Sequence, residues 1–229
     1  MIIAGIQKTS LIDYPKKICT VIFTRGCNFF CGFCHNPELV IPDKYNKKIP
    51  LYQIFDFLKK RKNIIEAVTI TGGEPTIYKD LPSFIKKIKK LGYFIKLDTN
   101  GSNPIMIKQL INDKLIDYIA MDIKNSLDKY DETTCRKVNK QNIQQSINII
   151  MTSGIDYEFR TTVVPGLHTK NNFIKISHWL KDANKYFLQN FRPGKTIDEK
   201  YNTLKPYTRS ELREFKLILA KNIKTVKIR

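Results

Sequence analysis

Thr24-Arg25-Gly26-Cys27-Asn28-Phe29-Phe30-Cys31-Gly32-Phe33-Cys34-His35-Asn36-Pro37-Glu38 holds three of the five cysteines in the chain, spaced Cys27-x-x-x-Cys31-x-x-Cys34. A 4Fe-4S cube has four irons and takes four ligands. Three thiolates within so short a run supply three corners and leave the fourth iron open to a small molecule. Gly26 and Gly32 let the backbone fold tightly around the sulfurs. Phe29, Phe30 and Phe33 are placed to shield the cluster from water and tune its potential. A structural zinc site takes four ligands, usually as two separated pairs. His35 directly follows Cys34 and does not easily close the same tetrahedron. Five cysteines, an odd number, and no secretory signal argue against a disulfide framework.

At 229 residues, 42% hydrophobic and 27% charged, the chain is expected to form one globular domain, 1–229. Met1 to Leu11 carries no apolar signal region, and no stretch approaches the length of a membrane span. The expected setting is the cytoplasm, with reduced thiols and no membrane partner. The net charge of +19 is compatible with an acidic partner or a nucleic acid. Its densest run is Lys59-Lys60-Arg61-Lys62, and Lys86, Lys87, Lys89 and Lys90 lie on the polar side of an amphipathic pattern. An arginine-rich arm and aromatic-basic interleaving are both missing, so the charge is read as solvated helix faces rather than a nucleic-acid interface.

Residues 1–16 read as an extended N-terminal arm and turn. Apolar, β-rich runs predict strands at Lys17–Thr24, Ala67–Thr71, Tyr93–Asp98, Tyr118–Lys124, Tyr157–Val164 and Tyr186–Phe191. Helical spacing falls between them: Leu51, Ile54, Phe55, Leu58; Leu81, Phe84, Ile85, Ile88, Leu91; Ile107, Leu110, Ile111 after the Asn103-Pro104 start; Ile143, Ile147, Ile150, Met151; and Phe173, Ile176, Leu180. Residues 192–229 read as a lid-like loop, Arg192–Tyr207, then a helix opened by the Thr208-x-x-Glu211 capping box. Alternating strands and helices argue an α/β fold with parallel strands and right-handed crossovers, an open partial (β/α)6 barrel.

In such folds ligands bind at the C-terminal ends of the strands, and each unusual motif falls there. The cysteines follow the first strand and Gly72-Gly73-Glu74-Pro75 the second. Asp98-Thr99-Asn100-Gly101 closes the third, Asp122 and Lys124 the fourth, and Val164-Pro165-Gly166 the fifth. The glycines permit close backbone approach to a ligand, and Glu74 is able to order the turn. Asp98 also fits a plain turn-forming role. Asp122 and Lys124 share a strand face and also fit a structural ion pair. Arg160 fits a rim salt bridge. Lys96 shares a face with Asp98, and the spacing gives it no role. His168 fits a loop histidine near the mouth but, like His178, reads first as a surface histidine. Cys19 sits about 16 Å below the strand end, a core position and not a fourth ligand.

The cysteine spacing, with Phe33 before the last cysteine, resembles the radical S-adenosylmethionine enzymes. Cys34-His35-Asn36-Pro37 resembles their glycyl-radical-enzyme activases, and Ala4–Pro15, AGIQKTSLIDYP, resembles the activating proteins of anaerobic ribonucleoside-triphosphate reductase. The resemblance implies the open barrel and a 4Fe-4S cluster on Cys27, Cys31 and Cys34. It implies S-adenosyl-L-methionine bound near Phe33, Gly72, Gly73, Glu74 and Pro75, with Asp98, Asp122, Lys124 and Arg160 also at the cofactor. In the pyruvate formate-lyase activase the positions matching Asp98, Asp122 and Lys124 lie at the methionine end, and the two aspartates help to hold a monovalent cation. The implied reaction is reductive cleavage to a 5′-deoxyadenosyl radical that takes hydrogen from a glycine of a partner enzyme. A flavodoxin- or ferredoxin-like protein is the implied electron donor. Two departures stand out: Lys16 and Cys135 occupy positions where related activating proteins usually or often have glycine, and Cys135 is a candidate exposed thiol. The rival readings are a radical enzyme acting on a small molecule, like 7-carboxy-7-deazaguanine synthase, and a non-catalytic iron-sulfur carrier or sensor.

Overall fold

The computed structural model describes residues 1–229. In chain order the elements are β1 (Ile3–Ser10), β2 (Cys19–Thr24), α1 (Pro37–Val40), α2 (Leu51–Arg61), β3 (Ala67–Gly72), α3 (Leu81–Lys89), β4 (Phe94–Thr99) and α4 (Pro104–Asn112). There follow β5 (Tyr118–Asp122), α5 (Tyr130–Thr134), α6 (Lys140–Thr152), β6 (Asp156–Val163), α7 (Lys170–Trp179), β7 (Tyr186–Asn190), α8 (Arg209–Leu219) and β8 (Val226–Ile228). The strands lie in one sheet in the order β1 to β8, with β1 and β8 as its two open ends. β2, β3 and β4 pair in parallel, as do β6, β7 and β8. The six predicted strands are β2 to β7, each within a few residues of its expected bounds.

Two strands were not expected. The arm is a strand over Ile3–Ser10, antiparallel to β2 with two irregularities in register. Its Gln7, Lys8 and Thr9 are exposed, as suits a strand at a sheet end. β8 is only three residues long, too short for a periodic signal.

Two compact units divide the chain. The first comprises Met1–Asn28, Asn36–Thr99 and Asn103–Ile119. One face of its strands carries Cys19, Val21 and Ala67, clustered with Tyr14 and Tyr118. The alternate residues Ile22, Val68, Ile70, Ile95 and Leu97 are also wholly buried. Parallel strands covered on both faces read as continuous apolar runs, which is why they were legible. Each such side chain stabilises the fold by roughly 1.5–3 kcal/mol. α2 buries Ile54 and Leu58, and Phe55 meets Phe84 of α3 edge-to-face. Asn103 caps α4 by accepting from Met106 N at 3.1 Å.

The second unit comprises Phe29–His35, Asn100–Ser102 and Ala120–Arg229. α7 and α8 both begin with capping boxes, Thr169 with Asn172 and Thr208 with Glu211. They pack through Phe173 stacked on Phe215, ring centroids 4.7 Å apart. Buried Glu158 of β6 takes a two-pronged Arg229 guanidinium at 2.8 and 3.0 Å.

Candidate functional site

In the first unit, β2 ends at Thr24 and the chain runs through Gly26 to Cys27. Gly26 N donates to Leu39 O of α1 at 2.7 Å. The turn after β3 lies against this segment: Gly73 N donates to Thr24 O at 2.9 Å and Glu74 N to Gly26 O at 2.8 Å. A Cβ on Gly72 would stand 2.3 Å from Thr24 N, and one on Gly73 only 1.9 Å from Gly26 O. The paired glycines therefore let two main chains touch at the entry to the cysteine loop. Glu74 is buried, and its Oε1 accepts from Thr76 N at 3.0 Å, Thr76 Oγ1 at 2.5 Å and Thr99 Oγ1 at 2.8 Å. It orders the turn and ties it to the end of β4. Pro75 opens a short 3-10 turn, Pro75–Ile77.

In the second unit, Cys31 is buried, and Cys34 N donates to its carbonyl at 2.9 Å. Burial pushes the Cys31 thiol up to about 11, with Lys124 pulling down and Cys34 pushing further up. Phe29 is buried edge-on to Tyr130, and Phe30 N donates to Thr134 O at 2.9 Å. The Arg192–Tyr207 segment, read from sequence as a lid-like loop, is a strap over this part of the chain. Ile197 N donates to Cys34 O at 3.0 Å and Asp198 N to Gly32 O at 2.9 Å. Tyr201 meets Phe33 edge-to-face and lies so close to Gly32 that a Cβ there would be 2.8 Å from its ring. His35 stacks on Phe191, and its Nδ1 donates to Lys195 O at 3.1 Å.

Asp98, in the first unit, is buried beside Lys96, whose Nζ donates to Oδ1 at 2.6 Å. The charge that the spacing left without a role is thus a partner of Asp98. Asp122, Lys124 and Arg160 are brought together in the second unit. Lys124 Nζ donates to Asp122 Oδ2 at 2.8 Å, and Arg160 Nε donates to Oδ1. Burial pushes the Asp122 carboxyl up, but Arg160 and then Lys124 outweigh it and hold the group well below the usual carboxylate range.

His168 corrects the sequence reading: it is wholly buried, not on the surface. Its Nδ1 accepts from Val164 N at 3.0 Å, which leaves the proton on Nε2 to donate to Lys124 O at 2.8 Å. Tyr207 Oη donates to the His168 carbonyl at 2.5 Å. The imidazole therefore joins the end of β6 to the backbone of Lys124, and burial pushes its pKa down. Asn125 assists: its Nδ2 donates to Thr133 Oγ1 and Leu167 O, both at 2.9 Å. Neither residue has a sequence pattern that marks it; the Pro165-Gly166 turn beside His168 was the available signal.

Cys19 is wholly buried, as expected, and burial pushes its thiol up. Cys135 is exposed, and His178 lies on the surface. Cys135 and Lys16 both take left-handed backbone, φ 51° and 62°. That conformation favours glycine, the residue that the resemblance leads one to expect at both positions.

The radical SAM superfamily model matches residues 21–180. The chain is 37% identical over its whole length to a Methanocaldococcus jannaschii protein named "putative glycyl-radical enzyme activating enzyme", covering 95% of it. It is 26% identical to the Clostridium pasteurianum pyruvate formate-lyase-activating enzyme, over 88% of this chain and 86% of that one. Among solved structures it is similar to Streptococcus suis SuiB bound to S-adenosylmethionine, with a TM-score of 0.67 at 16% identity, covering 91% of this chain. The chain spans about half of SuiB, 49% of its length, and this likeness concerns the fold.

Proposed function

The chain belongs to the radical S-adenosylmethionine superfamily, and we propose that it is an activase that installs a glycyl radical on a partner enzyme, anaerobic ribonucleoside-triphosphate reductase. The observation that carries this reading is the full-length likeness to the Methanocaldococcus protein. Ala4–Pro15 and Cys34-His35-Asn36-Pro37 favour the reductase as partner.

In this reading Cys27, Cys31 and Cys34 hold the cluster. Three soft sulfur donors suit iron and sulfide. A thiol as reluctant to ionise as Cys31 gives up its proton when a metal takes the proton's place. A reduced 4Fe-4S cluster held there would supply the one electron for reductive cleavage of S-adenosylmethionine to methionine and a 5′-deoxyadenosyl radical, the species that would take one hydrogen atom from the partner glycine. Gly72, Gly73, Glu74 and Pro75 receive the amino group of the cofactor through backbone carbonyls, and Phe33 lines its site. Asp98, Asp122, Lys124 and Arg160 serve the methionine end. There Asp122 holds the Lys124 and Arg160 cations in place, and His168 fixes the backbone that carries Lys124. The electron comes from a flavodoxin- or ferredoxin-like donor. No helix is long and apolar enough to cross a membrane, and the reading assigns the reaction to the cytoplasm.

The test is anaerobic. The protein is loaded with iron and sulfide, reduced with dithionite and given S-adenosylmethionine, and 5′-deoxyadenosine is quantified with and without the reductase. The expected result is 5′-deoxyadenosine together with a glycyl-radical signal in electron paramagnetic resonance of the reductase. Cys31→Ala is expected to lower 5′-deoxyadenosine formation by at least about a hundredfold. Cofactor cleavage that never yields a radical on any glycyl radical enzyme would transfer the reading to a small-molecule substrate. A reduced cluster that never cleaves the cofactor, even with partner present, would leave a carrier or sensor.

A further inference from the structure

Lys96 and Asp98 lie on one face of β4 and are buried together, their side chains 4% and 10% exposed. In the parallel register Lys96 stands beside Thr69 of β3, and Thr69 beside Val21 of β2. Thr69 Oγ1 donates to Asp13 O at 3.1 Å and lies 3.8 Å from the Cys19 sulfur. An ammonium is rarely taken so far from water unless an anion meets it, and the Asp98 Oδ1 does so at 2.6 Å. The same holds in reverse: the Asp98 carboxylate is already neutralised by a cation covalently part of the chain.

This bears on the monovalent cation that the family resemblance implies at Asp98. A sodium or potassium ion on this carboxylate would stand within a few ångströms of the Lys96 ammonium, in surroundings that screen charge poorly. Asp122 carries two cations, but its side chain is 27% exposed; at Asp98, 10% exposed and already matched by Lys96, an added ion would bring an unbalanced positive charge into a buried site. We propose that the Lys96 ammonium is the resident cation of the Asp98 carboxylate, and that the protein binds no monovalent metal ion there. Lys96 is a positioning residue: it acts on the cofactor through Asp98. That last clause rests on the proposed S-adenosylmethionine site; the cation claim itself does not.

Rubidium binding to the full chain, measured by equilibrium dialysis without S-adenosylmethionine, tests the claim apart from the function. The wild-type protein is expected to retain no rubidium above background. Lys96→Met, which leaves the Asp98 charge without its ammonium, is expected to retain about one ion per chain, and Lys96→Met/Asp98→Asn to retain none. The loaded protein then gives a second readout in the affinity for S-adenosylmethionine. Replacing tetramethylammonium chloride by potassium chloride at constant ionic strength is expected to leave the wild type unchanged and to tighten binding by Lys96→Met about tenfold. Rubidium held by the wild type and lost in Asp98→Asn would overturn the proposal. So would a folded Lys96→Met protein that neither retains rubidium nor responds to potassium. If Lys96→Met fails to fold, the wild-type dialysis decides alone, and loss of cofactor binding in every protein would count against the function and not against the cation claim.

Discussion

The two ends of the cysteine loop are held by different kinds of structure. At Gly26–Cys27 the support is main chain on main chain: Gly72 and Gly73 lie so close that neither leaves room for a Cβ. At Cys31–Cys34 the support is a strap that begins about 160 residues later, and its grip combines backbone hydrogen bonds with aromatic side chains. The first arrangement has almost no tolerance, because a backbone atom cannot rotate out of the way. The second spreads its hold over Tyr201, Phe191, His35 and two amides, so single losses loosen it without removing it.

That contrast is open to direct attack. Gly73→Ala is expected to be the most damaging change, destabilising the protein by about 3–5 kcal/mol in urea unfolding and preventing iron loading, since the added methyl meets Gly26 O. A Gly73→Ala protein of native stability would erase the distinction. Tyr201→Ala is expected to leave the global fold intact while lowering the local opening free energy of the strap by about 3 kcal/mol. Hydrogen exchange at the Ile197 and Asp198 amides checks this; unchanged exchange there would show that the aromatic ring contributes nothing to the strap.

A smaller effect concerns pH. The folded state lowers the His168 pKa, so the unfolded chain binds the extra proton first. His168 therefore contributes stability that is complete above the ordinary histidine value, about 6.5, and is lost as pH falls below it, at no more than about 1.4 kcal/mol per pH unit. Unfolding at pH 7.5 and 5.5 is expected to show this dependence in the wild type and not in His168→Phe. The smallest expected change is Cys135→Gly, which relieves a left-handed φ of 51° on an exposed residue and raises stability by about 0.5–1 kcal/mol.

What could be read from sequence follows from how each part is built. Strands β2, β3 and β5 announced themselves because burial on both faces makes them mostly apolar, and β4, β6 and β7 as shorter apolar, β-rich runs interrupted by polar residues. β1 did not, since Gln7, Lys8 and Thr9 face solvent at the sheet end, and three residues of β8 are too few for any period. The cysteine spacing, the Gly72-Gly73 turn and the Asp122–Lys124 face were visible because each is local in sequence. The strap was visible only as a long loop containing proline and glycine; its partners lie far upstream, and no spacing rule reaches across that interval. His168 was misread for the same reason: a lone histidine carries no periodicity, and its burial is decided by Val164 and Lys124 together. Lys96 was noticed through its two-residue offset from Asp98, yet only the 2.6 Å separation turns that offset into a pair.

The strap also orders events during synthesis. Cys27, Cys31 and Cys34 leave the ribosome first, and Ile197 and Asp198, whose amides cap the Cys34 and Gly32 carbonyls, follow about 160 residues later. Until then the Cys31–Cys34 stretch stands without its strap, open to oxidants and stray metals. A chain whose synthesis stops before Arg192 therefore carries Cys27, Cys31 and Cys34 and none of the strap that holds the Cys31–Cys34 stretch.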